Sequence, residues 1–84
     1  MYKIEYLESV VEDDISNLTK SEKIKIKKAI EEKLVNDPVR FGKPLQYSLK
    51  GCRRLRVGDY RVVYVIEKDV VIIVKIGHRK EVYK

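Results

Sequence analysis

The sequence predicts an α+β domain in the order β-α-α-β-β-β, two N-terminal helices packed on a mainly antiparallel sheet. Two helix-capping patterns and a period of four between apolar residues occupy the first part of the chain. Runs rich in β-branched and aromatic residues, separated by two-residue turn signals, occupy the second part. At 84 residues there is length for one domain, 1–84, and an apolar fraction of 44% is enough for a core without metals or disulfides.

Residues 2–7, YKIEYL, alternate in character and read as the first strand. Ser9–Glu12 and Thr19–Glu22 both fit the S/T-x-x-E capping box, which places a short helix near 10–17 and a longer one near 20–36. On the longer helix Ile26, Ile30 and Leu34 form one buried stripe, with the lysines between them facing solvent. Asn36-Asp37-Pro38 ends that helix, because the residue before proline avoids helical angles. Residues 38–44 read as a turn-rich connector, followed by the strand candidates LQYSL, RRLRV, YRVVYVIE and VVIIVKIG. Gly58-Asp59 and Lys68-Asp69 separate the last three as hairpin turns.

These turns set an expected register. Val57 pairs with Tyr60, Arg56 faces Arg61, and Arg54 shares their face opposite Val63. Continuing through the second hairpin, Tyr60 faces Gly77 and Arg61 faces Ile76, so that His78, Arg79 and Lys80 emerge beside Tyr60 and Arg61. Opposed Cβ atoms lie roughly 5 Å apart, where two unit charges repel by about 3 kcal/mol at an effective dielectric near 20. Guanidiniums crowded in this way are arranged for an anion. Tyr60, Val62, Tyr64 and Ile66 occupy one sheet face and Val63, Val65, Ile72 and Val74 the other. Two helices cover one face, so the second is expected to expose apolar groups for a partner.

The net charge of +6 draws the chain to phosphate backbones or to an acidic protein. A single cysteine, Cys52, excludes an internal disulfide and suits a reducing cytoplasm; it reads as a half-buried strand residue. The opening MYKIEYLESVVEDD has no basic segment followed by an apolar one, so neither a secretory signal nor a membrane partner is expected. No Cys/His spacing suggests zinc, no glycine-rich loop precedes a helix, and no G-x-S-x-G occurs. Neither a metal nor an organic cofactor is expected. Arginines and tyrosines can instead grip a phosphodiester and stabilise a pentacoordinate transition state.

FGKPLQYSLKGCRRLRVGDYRVVYVIE and VVIIVKIGHRKEVYK, with a motif match over residues 41–83, resemble the RelE toxins of prokaryotic toxin–antitoxin modules within the RelE/ParE superfamily. The resemblance implies a RelE/ParE-like fold and metal-independent cleavage of mRNA in the ribosomal A site, the 2′-hydroxyl attacking the adjacent phosphate. It implies a cognate antitoxin as partner, with operator DNA bound only through the antitoxin complex. Arg61 falls on the transition-state arginine, Arg79 on the late arginine of phosphate or leaving-group stabilisation, and Tyr83 on the substrate-stacking tyrosine. Arg54 and Cys52 fall on positions that often carry lysine. Arginine stays protonated at neutral pH, so Arg54 acts electrostatically and His78 or Lys80 is a candidate proton carrier. Arg53 and Arg56 are expected to bind RNA phosphates. The alternative is a non-cleaving ParE-like gyrase inhibitor, or a diverged toxin that only binds partners.

Overall fold

The computed structural model of the protein describes residues 1–45 and 51–82, with 81 and 82 as backbone. The sheet has five strands in the order β1-β5-β4-β3-β2. These are β1 (Lys3–Tyr6), β2 (Lys43–Pro44), β3 (Arg53–Val57), β4 (Tyr60–Glu67) and β5 (Val70–His78). β1 runs parallel to β5, Lys3 opposite Val70 and Tyr6 opposite Ile73, and every other pairing is antiparallel. The predicted strand LQYSL lies almost wholly outside the described residues.

Two helices cover one sheet face. α1 (Val10–Ile15) has π geometry, and α2 runs as an α-helix over Lys20–Ala29 and on in π geometry over Ile30–Leu34. The Thr19 capping box forms: its hydroxyl accepts from the Glu22 N–H at 3.1 Å, and the Glu22 carboxylate accepts from the Thr19 N–H at 2.8 Å. Such a cap stabilises by about 1 kcal/mol. The Ser9 box does not form. The Leu7 carbonyl accepts from both Val10 and Val11, which puts Ser9 inside the first turn with no N–H left for its hydroxyl to cap.

Val10 from α1 and the predicted stripe Ile26, Ile30 and Leu34 from α2 pack on Leu55, Val57, Val62, Tyr64, Val71, Ile73 and Ile76. Leu34 is fully buried, and truncating such a side chain to alanine costs about 2–5 kcal/mol.

The connector holds more structure than the sequence reading expected. Asp37 accepts from the Arg40 N–H at 3.1 Å and caps a third helix, α3 (Pro38–Phe41), with proline at its first position. The Tyr64 hydroxyl donates to the Pro38 carbonyl, and a Cβ on Gly42 would lie 1.6 Å from that hydroxyl oxygen. Only glycine lets the corner approach Tyr64 so closely. Burial pushes the Tyr64 pKa from 10.0 up to about 12, with Arg53 opposing the rise and Asp37 adding to it. A fourth helix, α4 (Arg79–Val82), follows β5. Among the described residues no helix is long and apolar enough to cross a membrane.

Candidate functional site

Gly58 takes φ of 61°, the left-handed conformation glycine adopts without strain, at the first position of the Gly58-Asp59 turn. The ladder that follows is the expected one: Val57 opposite Tyr60, Arg56 opposite Arg61, Arg54 opposite Val63. On the outer side Lys43 stands opposite Arg54, and on the inner side Lys75 stands opposite Val63. Lys43, Arg54, Arg56 and Arg61 therefore share the sheet face turned away from the core, while the Lys75 ammonium reaches round to the Asp14 carboxylate of α1 at 3.1 Å. Sequence reasoning missed Lys43 by placing it in a connector; Pro44 after it, typical of a short edge strand, was the available signal.

The two opposed arginines have different surroundings. Arg56 is exposed, whereas Arg61 is only 4% exposed. One terminal nitrogen of Arg61 donates to the carbonyls of Gly58 at 3.3 Å and Tyr60 at 3.0 Å, folding the guanidinium along its own turn. Its Nε is buried with no hydrogen-bond partner among the described residues. An unsatisfied buried donor costs about 1–3 kcal/mol, more on a charged group.

Beyond Arg61 the register departs from expectation. Tyr64 pairs with Ile73 but Val63 pairs with Lys75, so Val74 is an extra residue, a β-bulge. Tyr60 consequently faces His78, and Arg61 faces Gly77. A one-residue slip moves each following side chain to the other face. His78 thus lies on the core side, its ring edge-on to Tyr60 at 5.8 Å, and its Nδ1 accepts from the Lys80 N–H at 3.3 Å. It lies beside Tyr60, as expected, but on the face opposite to Arg61. On that side the Thr19 N–H, then the Tyr60 hydroxyl, hold the Glu22 carboxyl below its usual range, which fastens the start of α2 to the site's strand.

Arg53 also departs from the phosphate-binding role expected of it. It pairs with Tyr64 in register, on the core side, and donates to the carbonyls of Val39 at 3.2 Å and Gly42 at 3.0 Å. It is a clamp on the α3 corner. Arg79 and Lys80 are exposed at the start of α4, where the Arg79 N–H donates to the Asp59 carbonyl at 2.9 Å. That bond sets Arg79 beside the turn that holds Arg61. Cys52 is partly buried, as expected, and Tyr83 lies outside the described residues.

Of the sheet face expected to expose apolar groups, one residue is covered and three are open in part. Val63 is 2% exposed, and Val65, Ile72 and Val74 are partly buried. Val63 stands in register between Arg54 and Lys75, whose long aliphatic stems are suited to cover it. Among the described residues the large apolar side chains most open to solvent are Met1, Tyr6, Leu7, Val11, Ile24, Val39 and Phe41, none of them on β3, β4 or β5.

A small α+β fold with one basic sheet face is the architecture of a toxin of the RelE/ParE type, and sequence comparison agrees. The family described as "ParE toxin of type II toxin-antitoxin system, parDE" matches residues 8–83, and the chain belongs to this family of the RelE/ParE superfamily. It is 38% identical over 53 residues to toxin RelG of Mycobacterium tuberculosis, a match covering 61% of each chain. To toxin RelE of the same organism it is 56% identical over 34 residues, 40% of this chain and 35% of that one. The matches thus span about three fifths and about a third of those relatives. The toxin–antitoxin complex RelBE2 of M. tuberculosis contains a chain that superposes with a TM-score of 0.85 at 28% identity, covering 93% of this chain and 98% of that one. The isolated RelE toxin of Escherichia coli superposes with a TM-score of 0.76 at 23% identity, covering 99% and 92%.

Proposed function

We propose that the protein is a ribosome-dependent mRNA endonuclease, cleaving in the A site by attack of a 2′-hydroxyl on the adjacent phosphate. The observation that carries this reading is the Arg56–Arg61 pair, with the Arg61 Nε unsatisfied on a face that also bears Arg54 and Lys43. In the reaction the 2′-oxygen bonds to phosphorus and the bond to the 5′-oxygen breaks, leaving a cyclic phosphate and a 5′-hydroxyl. Arg54, Arg56 and Arg61 stabilise the extra charge of the phosphorane, Arg79 the departing oxygen, and Tyr83 stacks on a base. The 2′-hydroxyl proton leaves to water as the guanidiniums stabilise the oxyanion, and a lysine ammonium, Lys80 beside Arg79 or Lys43 opposite Arg54, gives a proton to the departing 5′-oxygen. His78, on the core side of the bulge, orders the strand end instead.

The cognate partner is an antitoxin, a reading supported by relatives solved as toxin–antitoxin complexes. Operator DNA is reached only through that complex, and the place of action is the cytoplasm, where mRNA is translated. The test is incubation of the protein with programmed ribosomes and mapping of new 5′-hydroxyl ends. Cleavage that needs Arg61 supports the reading. Growth arrest with intact mRNA points instead to a non-cleaving gyrase inhibitor, which the ParE description of the matching family favours.

A further inference from the structure

Phe41 is a large apolar side chain left 42% exposed at a corner that is otherwise tightly fixed. Arg53 binds the carbonyls on both sides of it, at Val39 and Gly42, and Tyr64 binds the carbonyl of Pro38. The ring is thus held outward by the Arg53 bonds and the buried Tyr64. The Lys33 ammonium lies 5.9 Å from its centroid and the Arg40 guanidinium 5.6 Å. Beside it a cavity of about 180 Å³ is lined by Lys33, Phe41, Lys43, Arg54, Leu55 and Arg56. No carboxylate among the described residues lines it. Among the described residues β2 pairs with Arg53 and Arg54, and the cavity opens beside Leu55 and Arg56, further along β3.

An exposed ring among cations is a platform for a base with an attached phosphate, because every base offers a π face and the phosphates follow the charge. An acidic peptide would use the cations and leave the ring idle. Arg54 and Arg56 belong both to this cavity and to the face that carries Arg61. We propose that the cavity is a second RNA subsite, binding a nucleotide near the one being cut, its base on Phe41 and its phosphate between Lys33 and Lys43. The inference rests on the RNA-cleaving reading and assigns Arg53 a positioning role, as the residue that fixes the Phe41 platform.

The test is fluorescence anisotropy with a labelled single-stranded 2′-O-methyl RNA, which cannot be cut by 2′-hydroxyl attack. Phe41→Leu should weaken binding roughly 5- to 100-fold, and Phe41→Tyr, which keeps the ring, should bind like the parent. Lys33→Gln should reduce the slope of log affinity against log salt by about 0.7. Unchanged thermal unfolding of Phe41→Leu, expected for an exposed ring, ties its loss to the contact. Equal affinity of Phe41→Leu and parent overturns the subsite and leaves the cleavage reading standing. A parent that binds no free RNA overturns the subsite, and cleavage on programmed ribosomes decides the reading beneath it separately. A Phe41→Leu variant that loses a co-expressed antitoxin while keeping RNA makes Phe41 a protein contact and overturns the subsite.

Discussion

Arg56 and Arg61 stand opposite each other across the β3–β4 hairpin, the first in solvent and the second buried with one nitrogen unpaired among the described residues. The pair places like charges where strands ordinarily separate them, and the arrangement is relieved when an anion arrives.

Arg61→Ala should therefore reduce mRNA cleavage by roughly 100- to 1000-fold, the usual consequence of losing a preorganised transition-state charge. Folding should survive, because the same change removes repulsion from Arg56 and an unsatisfied donor. Single-turnover cleavage on ribosomes and a urea titration check the two halves. Loss of folding together with activity would show Arg61 to be scaffold.

His78→Gln should leave the cleavage rate and its pH profile within about threefold of the parent, since the bulge puts the imidazole on the core side. A flattened pH profile would return the histidine to the reaction.

Gly42→Ala should destabilise the fold by about 2–4 kcal/mol, since its Cβ would overlap the Tyr64 hydroxyl and Cζ. Removing the hydroxyl in the Gly42→Ala/Tyr64→Phe double variant should recover part of the loss. Chemical unfolding midpoints decide it, and a neutral Gly42→Ala would contradict the close approach.

Stability should fall at both ends of the pH scale for identifiable reasons. The Tyr64 pKa is raised in the folded state, so its contribution is complete below about 10 and is lost as pH climbs towards about 12. The loss is on the order of 2 kcal/mol. The Glu22 pKa is lowered, so its contribution is complete above the ordinary glutamate range and disappears as pH falls through the folded value. Denaturant midpoints across pH, for the parent, Tyr64→Phe and Glu22→Gln, read both limbs. Unchanged limbs in the variants would assign them to other groups.

The helices, the first hairpin and the arginine face were legible because each depends on local signals: a capping box, a four-residue stripe, a Gly-Asp turn. The Arg56–Arg61 pair followed from counting outwards from Gly58. The positions of His78 and Gly77 were not legible, because nothing in VVIIVKIG marks Val74 as the residue that leaves the ladder. Arg53 was misread for a related reason. Its charge resembles that of its neighbours, and only alternation along β3 together with a folded α3 corner gives it two carbonyls. Ser9 shows the limit of a capping pattern, since a helix that starts earlier deprives the motif of its N–H.

The bulge at Val74 should also be visible genetically. Along β5 the core side chains are Val71 and Ile73 before it and Ile76 after it, so the buried positions are odd-numbered and then even-numbered. A saturation scan selecting for soluble protein would show intolerance alternating along the strand, with its phase inverting at a single residue. Deleting Val74 would join Ile73 to Lys75 and keep Lys75 outward and Ile76 inward in one unbroken phase, so this one-residue deletion should be tolerated in a strand whose core positions tolerate little else.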